Sequence, residues 1–318
     1  MSSSGIPNVF GGAAVGDGRA YTTEDAVLEA FDILEQNGCK IVDTASLYGR
    51  SEELLGKAGV GKRFTVDTKH KGGFQPGYAT KENCIADAEN SKKMLGCDVD
   101  IYYIHAPDPD MSLENTLEGI NEVHKKGFFK RFGLSNYKAE DVQRVYDICK
   151  EKGYPLPQVY QGNYSAVARK QEELLFPTLR KLGISFYAYS PIAGGFLTKT
   201  KQDVLDGKGR FDTSTPIGKM YGGMYGRPAY LEALSQWEQI AKDEGVSRAD
   251  LAYRWVKYNS PLDAKHGDAI IIGSSSAQQL KETLSSINKG PLSDKAVKAI
   301  DGVWETIKHE APLDNYYH

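Results

Sequence analysis

The chain has 318 residues, of which 40% are hydrophobic and 25% are charged, so its length allows two ordinary domains or one large barrel. Its 39 Lys and Arg residues against 42 Asp and Glu residues give a net charge of −3, which argues against a nucleic-acid or membrane surface and favours a small-molecule partner. The 4 cysteines form no Cys-x-x-Cys pair, and no secretory apolar segment occurs near the start, so we expect a reduced, cytoplasmic protein without a metal site.

Short apolar runs rich in β-branched and aromatic residues alternate with amphipathic stretches along the whole chain. Thr22 or Thr23 is expected to cap a helix over 24–36, and two further helices are expected to begin after Thr80 and Ser112. Eight strands are predicted, over residues 8–10, 40–42, 64–66, 99–104, 130–133, 158–160, 184–187 and 269–272.

Eight strands joined by helices favour a closed (β/α)8 barrel, the TIM barrel, over an open doubly wound sheet. An open dinucleotide-binding sheet also requires a Gly-x-Gly-x-x-Gly turn after its first strand. The corresponding turn here, residues 11–16, lacks that glycine spacing. We therefore predict a single barrel domain over residues 1–318.

The seventh predicted strand is followed by a long Gly-, Thr- and Lys-rich stretch, residues 194–227, and helical periodicity resumes only near Leu231. Loops of this length inside a compact domain are uncommon, and they are usually functional or mobile. We therefore expect a mobile loop that closes over a bound ligand.

Polar residues end or follow most of the predicted strands. In a (β/α)8 barrel the reacting groups lie at the carboxyl ends of the strands, where such residues converge on one face. Strand by strand from the second to the eighth, these residues are Asp43, Lys69, His105, Ser135, Gln161, Ser190 and Ser274.

Asp43, Tyr48, Lys69 and His105 have the residue types of a site that protonates a carbonyl oxygen while a hydride arrives at the carbon. Lowering the pKa of a tyrosine from about 10 to about 7 takes roughly 4 kcal/mol of phenolate stabilisation, much of which a contacting lysine ammonium provides. Asp43 would keep that lysine charged, and His105 would hydrogen-bond a substrate oxygen. Each residue taken alone has a structural explanation instead: a helix cap, a packed ring, a solvated strand end or a core histidine.

Several strings carry a family resemblance, in order and over nearly the whole chain. Residues 41–52, Thr68-Lys69, Ile104-His105, residues 133–137 and residues 187–195 resemble the aldo-keto reductase superfamily. Residues 159–164 and 265–273 resemble its aflatoxin-aldehyde reductase branch. This resemblance implies a TIM barrel that reduces aldehydes or ketones with NADPH, and it also implies a homodimer.

The resemblance implies that Tyr48 is the proton donor, that Asp43 and Lys69 tune it, and that His105 orients the substrate. The substrate-binding positions that it implies are Tyr48, His105, Tyr221 and Arg227. The cofactor-binding positions that it implies are Gly12, Asp43, Ser135, Asn136, Gln161, Tyr189, Ser190, Pro191, Ile192, Gly194, Gly195, Arg210, Gly273, Ser274, Ser275, Gln279 and Thr283.

Two positions depart from the branch. Thr283 stands where relatives commonly place an adenine-binding Asn, and Leu280 or one of its neighbours stands where many carry a phosphate-binding Arg. The helix expected after Gly273 still offers backbone N–H groups and serine hydroxyls to a phosphate, and no acidic residue occurs there before Glu282. We therefore expect a preference for NADP(H) over NAD(H), although the same serines would also cap a helix in a purely structural role.

Two other functions stay open. The superfamily resembles the potassium-channel β subunits, so the chain could be an NADP-binding regulatory subunit with weak reductase activity. Lys69 at a strand end could instead form a Schiff base in a sugar-phosphate isomerase or aldolase barrel. Oxidation of NADPH by an aldehyde favours the reductase, and trapping of a lysine adduct with borohydride favours the aldolase.

Overall fold

The computed structural model describes residues 5–317 and forms a closed barrel of eight parallel strands in the order β1 to β8. The fold class predicted from the sequence is therefore confirmed. The strands are β1 Asn8–Gly11, β2 Ile41–Asp43, β3 Thr65–His70, β4 Val99–Ile104, β5 Phe129–Ser135, β6 Pro157–Asn163, β7 Ser185–Tyr189 and β8 Ala269–Ile272.

Helices surround the barrel and connect its strands. They are α1 Glu24–Gln36, α2 Ser51–Lys57, α3 Val60–Arg63, α4 Lys81–Leu95, α5 Leu113–Lys125, α6 Ala139–Lys152, α7 Gln171–Leu174, α8 Phe176–Leu182, α9 Lys201–Leu205, α10 Pro216–Tyr225, α11 Pro228–Glu244, α12 Arg248–Arg254, α13 Ala277–Ile287 and α14 Asp294–Ile307. Within residues 5–317, no helix is both long enough and apolar enough to cross a membrane.

Side-chain caps begin the first predicted helices where the sequence places them. The Thr23 hydroxyl accepts a hydrogen bond from the N–H of Ala26, which settles the choice between Thr22 and Thr23. Thr80 and Ser112 cap α4 and α5 in the same way. Each cap satisfies an N–H group that the helix itself leaves unpaired.

Six strands extend beyond their predicted ends, β1 and β2 by one residue each and β3, β5, β6 and β7 by two to four residues. β3 runs to His70, β5 runs to Ser135 and β6 runs to Asn163. Most of the residues added to β3, β5 and β6 are polar, so hydrophobic patterning ends these strands too early, although their backbones continue the ladder toward the rim of the barrel.

Residues 194–227 contain more regular structure than their composition predicts. A capping box between Thr200 and Asp203 begins α9, and Thr215 caps α10, which opens with Pro216 at its first position. The next helix, α11, begins at Pro228 rather than near Leu231. Local capping thus produces short helices in a stretch whose glycines conceal them.

Two apolar clusters divide the interior. The larger one lies between the strands and the helices, and the smaller one fills the inside of the barrel. The smaller cluster consists of Val9, Ile101, Tyr103, Val159, Tyr187, Ala269 and Ile271. It leaves the inward-facing positions nearer the carboxyl ends of β2 and β3 to charged side chains.

Candidate active site

The rim at the carboxyl ends of the strands collects the polar residues that the sequence singled out. Asp43 ends β2, Lys69 is the penultimate residue of β3, and His105 directly follows β4. Ser135 ends β5, and Gln161 lies near the end of β6. Because all the strands are parallel and the barrel is closed, these side chains share one end of the molecule.

Lys69 and Asp43 form a buried ion pair. The Lys69 Nζ donates to Asp43 Oδ2 and to the carbonyl of Thr44, each at 2.6 Å, and the two side chains are 0% and 3% exposed. Gln161 Nε2 donates to the other Asp43 oxygen at 2.9 Å. Burial raises the pKa of Asp43, although Lys69 and Gln161 lower it. Burial alone would lower the pKa of Lys69, but the charge of Asp43 raises it above its usual value, so Lys69 stays protonated.

Tyr48 stands at the mouth above this pair, on the segment that follows β2. Its ring centroid lies 5.3 Å from the Lys69 Nζ and 5.6 Å from the ring centroid of His105. Burial raises the pKa of the Tyr48 phenol above its ordinary value, while the charge of Lys69 lowers it. The expectation that Lys69 lowers this pKa to about 7 is therefore wrong. Desolvation of the phenolate outweighs the charge of Lys69, which the charge of Asp43 partly offsets.

His105 is buried beside Tyr48 and is 7% exposed. Burial lowers the pKa of His105 well below its usual range, and the nearby Lys69 and His70 lower it further, so the ring is neutral at neutral pH. The ring of Phe74 packs edge-on against the imidazole at 5.0 Å, and Tyr316 packs edge-on against Phe74 at 5.5 Å. The sequence does not predict either aromatic residue as part of the site, and the fold alone brings Tyr316 to Phe74 and the mouth of the barrel.

Three non-glycine residues have a left-handed backbone within the described part of the chain, and all three lie at this rim. They are Asn136 (φ 60°), Ser190 (φ 56°) and Ala193 (φ 51°). Such conformations cost on the order of 1–3 kcal/mol each and concentrate at binding sites. Asn136 and Ser190 were predicted as cofactor-binding residues, whereas Ala193 was missed because alanine carries no signal for this conformation.

Asn136 connects several rim residues. Its Nδ2 donates to the His105 carbonyl at 2.9 Å and to Ser135 Oγ at 3.1 Å. Its Oδ1 accepts from the Tyr189 hydroxyl at 2.8 Å, and that hydroxyl accepts from the N–H of Asn315 at 3.2 Å. The strained loop after β5 is therefore bonded both to the catalytic-candidate histidine and to the C-terminal segment.

Glycines permit close approach at two predicted cofactor positions. A Cβ at Gly12 would lie 2.8 Å from the carbonyl oxygen of Asp43, so only glycine lets the turn after β1 pack against β2. Gly194 has φ 66°, and a Cβ there would overlap the ring of Tyr221. Gly194 is thus required both by backbone conformation and by packing.

A cavity of about 570 Å³ lies at the other end of the cleft, between the segment after β7 and the helix α13. Predicted residues from both segments line it, including Ile192, Gln279 and Thr283. Lys281 and Lys289 also line it. Lys281 follows Leu280 directly on α13, and Lys289 lies two residues beyond the end of that helix, so the cavity has two cations that the sequence alone does not assign to it.

The serines before α13 are arranged by local hydrogen bonds. Ser274 Oγ lies 2.8 Å from the Tyr21 hydroxyl, and Ser276 caps the helix by accepting from the N–H of Gln279 at 3.1 Å. The N–H and hydroxyl of Ser275 donate to Gln279 Oε1 at 2.5 and 2.7 Å. One serine thus fills the capping role, and the other two present hydroxyls near the helix N-terminus.

The two arginines and the tyrosine predicted in residues 194–227 have different surroundings. Tyr221 is 4% exposed, and the Arg210 guanidinium lies 5.9 Å from its ring centroid. Arg210 is exposed, and its charge lowers the pKa of Tyr48 less than that of Lys69 does. Arg227 instead donates to the carbonyls of Gly223 and Glu310 and precedes α11, which ties this segment to the C-terminal one.

Comparison with known proteins agrees with the geometry. Residues 9–305 match the aldo/keto reductase family. The chain belongs to that family. It is 39% identical to oxidoreductase sirO of Leptosphaeria maculans over 307 residues, which cover 96% of this chain and 90% of that protein. It is 38% identical to aflatoxin B1 aldehyde reductase member 4 of Homo sapiens, over 100% of this chain and 98% of that protein.

A third relative, aflatoxin B1 aldehyde reductase member 2 of Rattus norvegicus, is 35% identical and covers 100% of this chain and 92% of its own length. The resemblance to the aflatoxin-aldehyde reductase branch is therefore confirmed. Membership of the aldo/keto reductase family makes the protein an oxidoreductase and supports carbonyl reduction as its chemistry.

Proposed function

We propose that the protein reduces aldehydes or reactive ketones to alcohols with NADPH, and that Tyr48 supplies the proton. The observation that carries this proposal is the placement of the Tyr48 phenol between a charged Lys69 and a neutral His105 at the open end of the barrel. A protonated lysine stabilises a developing phenolate, and a neutral imidazole donates a hydrogen bond without competing for the proton.

The residues present fit a nicotinamide dinucleotide. Ser135, Asn136 and Gln161 offer hydrogen-bonding groups at the strand ends for the carboxamide, and Tyr189 offers a ring for the nicotinamide to stack on. The backbone at Gly195 lies open, because a Cβ there would meet no atom within 4 Å beyond its neighbours. When bound, the nicotinamide supplies the hydride. The strained backbone at Ser190 and Ala193 and the cavity of about 570 Å³ beside α13 support the same binding cleft for the pyrophosphate and the adenosine.

In the reduction, the substrate oxygen accepts a hydrogen bond from the Tyr48 hydroxyl and another from a ring N–H of His105. Tyr48 then transfers its proton to that oxygen. Lys69 stabilises the phenolate that remains, and Asp43 keeps Lys69 charged and oriented through the 2.6 Å contact. Because the pKa of Tyr48 lies above its ordinary value, the phenol carries its proton at neutral pH, and the charge of Lys69 favours the release of that proton to the substrate.

The preference for NADP(H) follows from the groups around the N-terminus of α13. The start of α13 and the nearby Ser274 and Ser275 hydroxyls suit a 2′-phosphate that takes over their present bonds to Tyr21 and Gln279. Lys281 and Lys289 add positive charge along the cavity. Asp250 and Glu282 line the cavity as well and oppose this charge. We therefore expect a preference in kcat/KM on the order of 10–10³.

The Schiff-base alternative requires a neutral lysine amine. Lys69 is instead held charged by Asp43 and bonded to two acceptors, which disfavours its attack on a carbonyl. One experiment tests both the proposed reductase and the alternative of a regulatory subunit. The purified protein is mixed with NADPH or NADH and a panel of aromatic aldehydes, dicarbonyls and semialdehydes, and loss of the reduced-nicotinamide absorbance is followed.

Turnover with NADPH supports the reductase, whereas tight NADPH binding without turnover of any carbonyl supports the regulatory subunit. The small carbonyl substrate, the cytoplasmic location, the homodimer and the substrate role of Tyr221 and Arg227 stay predictions. Of these two residues, Tyr221 is better placed, because its ring packs against Gly194 and beside Arg210.

A further inference from the structure

The carboxyl group of Asp67 lies inside the barrel, beneath the Lys69–Asp43 pair. Asp67 is 0% exposed, and on the β2–β3 ladder it is the register partner of Asp43. Its Oδ1 accepts a hydrogen bond from the N–H of Ile101 on β4 at 3.1 Å. Its Oδ2 is buried and has no hydrogen-bond partner among residues 5–317.

The cations near Asp67 are already bonded to other carboxylates. Lys69, on the same strand, donates to Asp43 and to the Thr44 carbonyl. Arg131, on β5, donates to Asp100 at 2.6 Å and to the Tyr187 hydroxyl at 3.3 Å. The groups that act on Asp67 from the surrounding strands are Asp43 from β2, Lys69 from β3, Asp100 and Tyr103 from β4, Arg131 from β5 and Tyr187 from β7.

Three carboxyl groups, those of Asp43, Asp67 and Asp100, thus lie near two cations. Lys69 is bonded to Asp43 and Arg131 is bonded to Asp100, so neither cation is bonded to Asp67. An ionised Asp67 would be a buried, unpaired negative charge, which proteins avoid by keeping the group protonated. Burial raises the pKa of Asp67 well above its ordinary value, and the charges of Asp43 and Asp100 raise it further, against a lowering by Arg131. The unpaired Oδ2 and this direction both favour the protonated form of Asp67.

We propose that Asp67 is a positioning residue for carbonyl reduction, which stays neutral while the enzyme works and weakens the action of Lys69 on Tyr48 when it ionises. The proposal rests on the function proposed above. While Asp67 is neutral, the positive charge of Lys69 is opposed mainly by Asp43, and it favours the phenolate that Tyr48 becomes. A second negative charge beside this pair disfavours that phenolate in the transition state. The proton of Asp67 is not transferred to the substrate.

The kinetic test compares the pH dependence of kcat in the wild type and in Asp67→Asn. Asparagine keeps the shape and the acceptor for the Ile101 N–H but cannot ionise. We expect a near wild-type kcat at neutral pH and an alkaline limb displaced upward by about one pH unit or more. Asp67→Ser, a second neutral variant, is expected to displace the limb in the same direction and serves if the first variant folds poorly.

Asp100→Asn supplies the opposite shift. It removes a negative charge that opposes ionisation of Asp67 and frees Arg131, so the alkaline limb is expected to move to lower pH. An alkaline limb that stays in place in both neutral variants of Asp67 overturns the proposal. A rate that collapses at neutral pH in Asp67→Asn also overturns it, since Asp67 would then be an ionised partner of Lys69.

Thermal unfolding tests the proton without any carbonyl substrate. When a carboxyl has a raised pKa in the folded protein, the protein loses stability as the pH rises above the pKa of that carboxyl in the unfolded chain, about 3.9. Asp67→Asn is therefore expected to raise Tm relative to wild type, and by more at about pH 8 than at about pH 5. If no carbonyl is reduced, the proposed function fails, and the kinetic role of Asp67 fails with it. If instead the Tm of Asp67→Asn lies below that of wild type at both pH values, the inference that Asp67 is protonated is wrong.

Discussion

The catalytic centre and the cleft beside α13 differ in how their polar groups are held. At the centre, Lys69 and Asp43 are buried, and each is bonded to side chains or carbonyls from other strands. Beside α13, Ser275 is exposed and bonded only to Gln279, four residues further along the same helix start. On the proposed function, we therefore expect the barrel to fix the chemistry and the local, exposed structure beside α13 to set the cofactor preference. Changes at the centre should alter the rate, and changes beside α13 should alter which cofactor is used.

The largest expected effect is that of Tyr48→Phe. Loss of the phenolic proton should lower kcat for carbonyl reduction by about 10²–10⁴-fold, the usual contribution of a general acid. The affinity for NADPH, measured by quenching of protein fluorescence, should stay close to that of wild type. More than a tenth of wild-type turnover, with chemistry limiting the rate, would show that Tyr48 is not the acid.

Lys69→Met removes the ammonium and keeps the apolar stem. At the observed 5.3 Å from the Tyr48 ring, a unit charge acting in a medium of effective dielectric constant near 20 contributes roughly 3 kcal/mol, so we expect a loss in kcat of about two orders of magnitude. The pKa of Tyr48 should rise further, since the charge of Lys69 lowers it. Lys71→Met is the matched control, because Lys71 bonds to Tyr78 outside the barrel, and it should keep nearly the full rate.

Lys69→Met should also destabilise the protein, by an amount that depends on pH. Removing one partner of a buried pair destabilises by about 3–5 kcal/mol. The pKa of Asp43, already raised by burial, then loses the lowering by Lys69. The loss is therefore expected to be largest above the unfolded pKa of Asp, about 3.9, and to shrink at lower pH as Asp43 takes up a proton. A Tm deficit that does not depend on pH would contradict the ion pair.

Ser274→Glu should change cofactor choice and leave the centre unaltered. A carboxylate near the start of α13 repels a 2′-phosphate and accepts hydrogen bonds from a free ribose hydroxyl, so kcat/KM should fall far more with NADPH than with NADH. The expected change in the ratio is about 10-fold or more. Ser235→Glu on α11 adds the same charge elsewhere and should leave the ratio unchanged. Equal losses with both cofactors would remove the phosphate site from this cleft.

The smallest effect concerns residues 194–227. These glycine-rich residues lose conformational entropy on closing, so contacts with the cofactor should stabilise them. Limited proteolysis should cut this segment more slowly with saturating NADPH than without it. Equal cleavage rates would indicate that α9 and α10 hold the segment in place regardless of ligand.

Much of this structure follows from local patterns. The presence of eight strands and the caps at Thr23, Thr80 and Ser112 are marked by short local patterns, so the sequence predicts them, although not where every strand ends. The polar residues at the strand ends follow once the barrel is assumed. The structure confirms the barrel and places Asp43, Lys69 and His105 at one rim.

The rest depends on contacts between distant segments. Tyr316 reaches Phe74 only through the fold, and the backbone conformation of Ala193 has no signal in an alanine. The raised pKa of Tyr48 has no signal in the sequence, because burial, which outweighs the charge of Lys69, arises only in the folded chain. The special position of Asp67 has none either, since its unbonded Oδ2 is apparent only when neighbouring strands are in register.

The most direct test of the central claim, that Lys69 acts through Tyr48, is a double-mutant cycle on kcat. Rates of aldehyde reduction are measured for wild type, Tyr48→Phe, Lys69→Met and the double variant under conditions where chemistry limits turnover. Residues that act as a unit are strongly non-additive. We predict that Lys69→Met lowers kcat by about two orders of magnitude in the wild type and by less than about threefold when Tyr48 is already Phe. An equal loss in both backgrounds would contradict the account.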